Sequence, residues 1–521
     1  MSSAPETGTT RSTVARTMIS SLLRAALPPL VAVVTLPIIL GRVSLDAYGL
    51  WATITGLIAV LAAVDTGLAT VTTRKVAAAR GGGLGGAEGG TEPDVAQGPT
   101  APTGDEVVRL SREGISVAMR LALVVMPLAA LAGWPIMRVI AAPDLRTTGL
   151  LIWLGVVLYQ TVGWYYAMLA AVSTGLQRGD LANAANAVGA VVGAVVTVLA
   201  VVAGMGIYGL LVGMWALGVV TMVLHLRNAV RLTGDRRVGL PQRAPDARTM
   251  LISGLALASL QASLLVEPAV AKFVLSAFDG SEAAAAMQLG FTVSRMALVA
   301  AMAPTAAILV GVAEWRETQP GRIAGLVRNA SYASLALVAV LAAVMLATGP
   351  YVAAAWLGVH VPGIGVAIRT LSVVTIATIV VWLFTQTLLG HGNTRSVTVR
   401  LAIGTCVSLT GMAVAAPIAG LPGVVAASFV GAVVSAVLLS RIDGDYARII
   451  FTAAGRIGPA MVALGLIGAF LIDRINPGTR IAALVAAVVA TLVAAGVAWV
   501  LMPADTRRLM RTTLTDRLGR G

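Results

Sequence analysis

Fourteen predominantly apolar stretches follow one another along this chain, at approximately 18–40, 49–68, 115–141, 149–173, 182–204, 207–226, 249–275, 283–311, 326–348, 366–390, 397–418, 422–440, 457–472 and 481–502. A helix of about 20 residues crosses a ~30 Å hydrocarbon layer. Backbone groups in lipid must be paired internally, so each run is helical unless the runs close a barrel, and they are too long and too uniformly apolar for barrel strands. The chain is therefore expected to be all-α, a polytopic membrane protein of about 14 transmembrane helices. Composition agrees. Apolar residues make up 58% of the 521 positions and charged residues only 12%, against about 45–50% and about 25% in soluble domains. That excludes a cytosolic enzyme and a disordered scaffold. Cys406, the only cysteine, can form no internal disulfide, which excludes a secreted disulfide module.

The formal charge of +14 comes from 37 Lys and Arg against 23 Asp and Glu, and all but two of the basic residues are arginines. No basic-aromatic ribbon accompanies them, so no nucleic-acid partner is expected. Their distribution is topological, because cytoplasmic loops collect Lys and Arg. Arg11 and Arg16 precede the first run; alternating from a cytoplasmic N-terminus, the inner segments take Arg74, Lys75, Arg80, Arg109, Arg112, Arg178 and the arginines of 227–248. The later inner segments take Arg316, Arg322, Arg328, Arg395, Arg441, Arg448, Arg456 and the basic tail, while the outer loops hold little beyond Arg42, Arg146, Arg474 and Arg480. Both termini are expected in the cytoplasm. Residues 81–104 are rich in Gly and Pro and read as a flexible cytoplasmic insertion. The chain divides into an N-terminal six-helix lobe (1–226), a basic linker (227–248), a C-terminal six-helix lobe (249–440) and two extra helices with a basic tail (441–521).

The sequence offers no paired-carboxylate, Ser/His/Asp or metal-ligand constellation and no Gly-Lys-Ser/Thr phosphate loop. His225, His360 and His391 fall at run ends or in loops and read as bystanders. The expected activity is transport without bond-making: no enzyme, no cofactor, no metal.

Residues 36–76 carry Pro37, an Asp46-Ala47-Tyr48-Gly49-Leu50-Trp51 turn into the second run, and Asp65-Thr66-Gly67-Leu68 near its end. Glu267-Pro268 with Lys272 follows in the seventh run, Gly349-Pro350 with Trp356-Leu357-Gly358 after the ninth, and Leu389-Gly390-His391-Gly392-Asn393 after the tenth. In this order the chain resembles the polysaccharide-export flippases of the MATE-like multidrug/oligosaccharidyl-lipid/polysaccharide superfamily, over its first twelve runs. The resemblance implies two pseudo-symmetric six-helix lobes facing a central cavity that opens alternately to either side. A weak internal repeat points the same way: Arg16-Thr17-Met18-Ile19 opens the first run and Arg248-Thr249-Met250-Leu251 the seventh, with Pro37 and Pro268 some twenty residues on.

Ionisable residues inside the runs are the candidate site, since a charge at the bilayer centre costs at least ~2.5–3.5 kcal/mol on insertion scales. Arg295 lies near the middle of the eighth run, and Gln288, Thr292 and Arg295 share one helical face. They read as cavity-lining, with a structural ion pair between Arg295 and Glu267 as the alternative. Arg24 and Arg120 line the cavity or snorkel to headgroups. Glu267 and Lys272 are expected to form a structural or gating pair, and Asp65 a local cap or inter-helix bond. Gln160, Asn183 and Asn186 read as inter-helix hydrogen bonds. Trp164 and Tyr165 could stack on sugar rings. A cationic, acid-poor interior suits a pyrophosphate of about two negative charges, which arginine binds bidentately.

The expected function is a flippase moving an anionic polyprenyl-(pyro)phosphate-linked oligosaccharide to the outer leaflet of a bacterial inner membrane. Its partners would be membrane lipids, a glycan polymerase and glycosyltransferases. The alternatives are a cation-coupled drug or metabolite exporter of the same superfamily, and a non-transport scaffold for glycan assembly.

Overall fold

A computed structural model describes residues 27–28, 30–80, 104–475 and 479–508. Among them every long element is a helix: α1 (Leu30–Leu40), α2 (Leu45–Ala59), α3 (Ala62–Arg80), α4 (Gly104–Ile140), α5 (Arg146–Gly175), α6 (Gly179–Val202), α7 (Ile207–Thr233), α8 (Ala247–Phe278), α9 (Ser281–Met302), α10 (Ala306–Thr318), α11 (Pro320–Leu357), α12 (Ile364–Gly390), α13 (Thr394–Ser440), α14 (Gly444–Ile475) and α15 (Arg480–Leu501). The insertion expected at 81–104 lies almost wholly outside the described residues, as does the basic tail beyond 508.

Eleven segments among the described residues are long and apolar enough to cross a membrane. One of them, α13, is two helices joined at Gly420, and Leu30–Leu40 and Ala247–Ser259 are shorter apolar helices. Each of the fourteen runs thus has a helical counterpart. Several boundaries differ from the sequence expectation. The run at 49–68 does not end there: α2 passes through a turn at Val60 and Leu61 into α3, and the apolar segment continues to Ala79. The run at 283–311 is interrupted by a 3-10 turn at Ala303–Thr305, where Pro304 removes a backbone donor. At the other extreme, α4 begins well before residue 115, because Arg109 bonds Glu113 at 2.9 Å one turn on and carries the helix out past its apolar stretch.

The chain forms two compact units, Met1–Ala269 and Val270–Gly521, divided inside α8 next to Pro268. In the first unit, α3, α4, α5 and the first half of α8 share a core that includes Leu68, Val71, Ile115, Met168, Leu169 and Met250. Small residues set the closest approaches, as expected where helices pack without a hydrophobic driving force. A Cβ at Gly67 would strike the Gly254 carbonyl oxygen, and one at Gly193 would meet Leu217 Cβ at 2.7 Å. In the second unit the two halves of α13 pack in the same way, Gly404 against Ser435 and Gly431 against Ser408. Asp473 ties α14 to its neighbours, accepting from Tyr351 on α11 at 3.0 Å and pairing with Arg369 on α12.

The two units share one backbone feature of high information content. Gly206, ahead of α7, has φ 53° and ψ −132°; Gly420, at the junction within α13, has φ 54° and ψ −137°. This region is open essentially to glycine alone. Each opens a Gly-x-x-Gly, at Gly206–Gly209 and Gly420–Gly423, and packs an incoming helix on an outgoing one. An internal repeat is thereby visible in the backbone itself.

Candidate functional site

Asp65 lies in α3, within an apolar segment that runs from Leu45 to Ala79. Its side chain is buried at 8% exposure. Gln160 on α5 donates from Nε2 to Asp65 Oδ2 at 3.3 Å, and the neighbouring Thr66 hydroxyl donates to Oδ1 at 3.1 Å. Among the described residues no Lys, Arg or His stands within salt-bridge reach of it. The carboxylate is thus solvated by two neutral dipoles.

Further polar groups on the same helices extend this region of the first unit. Tyr159 and Tyr166, one on each side of Gln160 along α5, bring their hydroxyls to 3.4 Å of each other. Tyr159 meets Trp215 of α7 edge-on, and Tyr166 stacks on His225 at 6.1 Å between centroids. His225 is fully buried and its Nε2 lies 3.4 Å from Asn186 Oδ1 on α6. His225 is therefore an interior residue of the first unit and not the span-end bystander expected from its position in the chain. The inter-helix bonds expected of Gln160 and Asn186 are both present.

In the second unit the buried charge has the opposite sign. Lys272 on α8 is 7% exposed, and its Nζ donates to Gln288 Oε1 on α9 at 2.8 Å. Gln288 in turn has its backbone carbonyl capped by the Thr292 hydroxyl at 2.9 Å. Two candidate residues from different helices, Lys272 and Gln288, are thus brought together, with Thr292 supporting the second. The sequence reading set Lys272 against Glu267, and the hydrogen bond formed goes instead across to the neighbouring helix. Helix α8 continues unbroken through Pro268, and five residues on a continuous helix stand about 140° apart. Among the described residues no carboxylate lies within ion-pair distance of Lys272.

The remaining candidates are placed as follows. Arg295, one turn beyond Thr292, is exposed at the surface of α9, and Arg120 is exposed on α4. Glu267 is half-buried. Arg24 lies outside the described residues. Trp164 is completely buried in the first unit, and the hydroxyl of Tyr165 donates to Gly239 O at 2.9 Å. Trp164 is thus a core residue with no face open for stacking on a sugar. The sequence reading passed over Tyr159, took Tyr166 only as one of an aromatic cluster around the third and fourth runs, and set His225 aside as a bystander.

No protein-family model matches the chain, and no curated protein matches it. Solved structures do. The lipid II flippase MurJ in an inward closed conformation aligns with a TM-score of 0.58 at 10% identity, covering 94% of this chain and 98% of that one. A multidrug resistance MATE family transporter of the MOP superfamily aligns in its inward-facing conformation with a TM-score of 0.56 at 15% identity, covering 83% and 98%. An outward-facing MATE transporter of that superfamily gives 0.54 at 13% identity, covering 86% and 96%. The chain has the fold of these transporters, and it is a multi-pass membrane protein. Multidrug resistance transporters and a lipid II flippase share this fold, so the likeness shows the fold and not the substrate.

Proposed function

We propose that the chain is a flippase that carries an anionic polyprenyl-(pyro)phosphate-linked oligosaccharide across a bacterial inner membrane by alternating access through a cationic central cavity. Both termini would lie in the cytoplasm, and glycan-assembling enzymes would supply and consume the substrate. The observation that supports this best is Lys272: an ammonium buried in the second unit that, among the described residues, is met by the neutral amide of Gln288 and by no carboxylate. An unneutralised intramembrane cation is costly and marks a ligand or ion pathway. A phosphate group arriving at Lys272 would supply a countercharge, and Arg295 on the neighbouring helix would add to the attraction. With the cytoplasm negative, outward movement of each negative charge is favoured by about 2.3 kcal/mol per 100 mV. No covalent step is required.

A second reading, a cation-coupled exporter of the same fold, is favoured by Asp65, a buried carboxylate that accepts from Gln160 and Thr66 and meets no cation among the described residues. One experiment separates the two. The chain is reconstituted in vesicles with a fluorescent polyprenyl-pyrophosphate oligosaccharide, and transfer between leaflets is followed by quenching from outside. Transfer accelerated by an imposed potential supports the flippase. Absent transfer together with pH-gradient-driven uptake of a lipophilic cation assigns the chain to the exporter reading.

A further inference from the structure

The repeat seen at Gly206 and Gly420 extends to the turns that precede those helix pairs. Gln177, between α5 and α6, and Gly392, between α12 and α13, both have positive φ, 62° and 85°. The N–H of Gln177 bonds Thr174 O and that of Arg178 bonds Ser173 O; likewise Gly392 bonds Leu389 O and Asn393 bonds Leu388 O. The offset from Gln177 to Gly392 is 215 positions, within one of the 214 between Gly206 and Gly420. At that offset Arg395 stands where the first unit has Asp180, and Arg400 where it has Ala185.

This exchange changes the electrostatics of the turn. In the first unit Arg178 is taken up by Asp180 through two contacts, Nε to Oδ1 at 3.1 Å and Nη2 to Oδ2 at 3.2 Å. In the second unit Arg395, Arg400, Ser396 and Asn393 line a surface groove of about 440 Å³. Among the described residues neither guanidinium meets a carboxylate. Arg400 is held in place by donating from Nη1 to Leu438 O at 2.8 Å, which leaves its other N–H groups for a ligand. Below Arg395 on the same helical stripe come Val399, Ile403 and Val407, all exposed. The twelve residues from Arg395 to Val407 rise about 18 Å, close to one leaflet's share of a ~30 Å hydrocarbon core. A groove carrying two arginines thus sits at the head of an exposed apolar track about as long as one leaflet is thick.

We propose that this groove binds the headgroup phosphate of an anionic phospholipid, with one acyl chain lying along Val399, Ile403 and Val407. The matching turn of the first unit, neutralised by Asp180, has no such preference. The site lies apart from Lys272 and does not depend on the transported substrate.

Cys406, exposed beside Val407 and the only cysteine, supplies the probe. The full chain, labelled there with a fluorescent maleimide, is placed in phosphatidylcholine vesicles. Acyl-brominated phosphatidylglycerol or acyl-brominated phosphatidylcholine is then added as quencher. Two basic groups near a membrane surface predict half-quenching at an about thirtyfold lower mole fraction of the anionic lipid. Arg395→Gln with Arg400→Gln should abolish the difference, and Arg178→Gln should leave it unchanged. Equal quenching of the native chain by both lipids overturns the proposal. So does loss of the preference on adding excess inorganic phosphate, which would assign the groove to a soluble phosphate. The native comparison needs no variant, so a double variant that folds poorly leaves the test standing.

Discussion

Each unit of this protein buries a charge that meets no opposite charge among the described residues and gives it a glutamine on another helix: Asp65 with Gln160 in the first, Lys272 with Gln288 in the second, whereas the buried Glu113 is paired with Arg109. The amide serves both because it carries two N–H donors and a carbonyl acceptor. It presents the donor to the carboxylate and the acceptor to the ammonium. Among the described residues no opposite charge meets either of them. A salt bridge would close each site to further ions; an amide fixes the side chain and leaves its net charge available. Under the proposed function the difference in sign separates the tasks of the two units, an anion at Lys272 and a proton or cation at Asp65.

The largest effect should come from removing the second unit's charge. Lys272→Met keeps the length and apolar stem of the side chain and deletes the ammonium. If Lys272 supplies the countercharge for a phosphate, leaflet transfer of a polyprenyl-pyrophosphate oligosaccharide should fall about 100-fold, in line with the ~2.5–3.5 kcal/mol scale for an intramembrane charge. Lys272→Arg should retain transfer within about tenfold, because the charge survives while the point-like ammonium geometry does not. Arg295→Ala, at an exposed position, should cost about tenfold, as expected for an attraction acting in higher dielectric. Unchanged transfer in a folded Lys272→Met would break the assignment of opposite tasks to the two units.

A second set of variants tests whether the glutamines act alike. Gln288→Leu and Gln160→Leu each strip a buried charge of its inter-helix partner and should destabilise by about 1–3 kcal/mol, read as a lowered melting temperature in detergent. Adding Lys272→Met to Gln288→Leu removes both members and should restore much of that loss, since an apolar pair leaves nothing unsatisfied. Asp65→Leu combined with Gln160→Leu should do the same in the first unit. Rescue in one unit only would show that the other glutamine has a different role.

The repeat allows a smaller and purely structural comparison. Gly206→Ala and Gly420→Ala impose the same unfavourable backbone region, worth about 1–3 kcal/mol. A Cβ at Gly206 meets open space, whereas one at Gly420 would strike the Asp279 carboxylate. Gly420→Ala should therefore lower the melting temperature further than Gly206→Ala, and equal effects would mean that Asp279 moves aside.

The helical architecture was legible because hydrophobic runs of this length permit only helices, and every run found its helix. Boundaries were less legible where charge pairs such as Arg109 with Glu113 carry a helix past its apolar stretch, or where Pro304 breaks a run whose hydropathy does not falter. The site was legible in part. Intramembrane charge singled out Asp65 and Lys272, and the polar stripe of α9 singled out Gln288 and Thr292. The partner of Lys272 was not legible, because a bond between helices depends on their packing, which no local spacing encodes; chain proximity pointed to Glu267. His225 and Tyr166 escaped for the same reason. The paired Gly-x-x-Gly segments were open to reading, but their common backbone geometry became evident only in three dimensions.

The smallest expected effect carries the sharpest discrimination. Asp65→Asn preserves the shape of the side chain; its one carbonyl oxygen still accepts from Thr66, and its amide can donate to Gln160 Oε1 once the Gln160 amide turns over, so the fold should be little affected. If the first unit's charge is dispensable for moving an anion, transfer driven by an imposed membrane potential should stay within about threefold of the native rate, an activation change below about 0.7 kcal/mol. A pH gradient applied in place of the potential should drive neither protein. A tenfold or greater loss in Asp65→Asn, together with pH-gradient-driven transport by the native chain, would transfer the coupling role to Asp65. The two glutamine-held charges would then be halves of one exchange, a cation taken up where the acid lies and an anion released where the lysine lies.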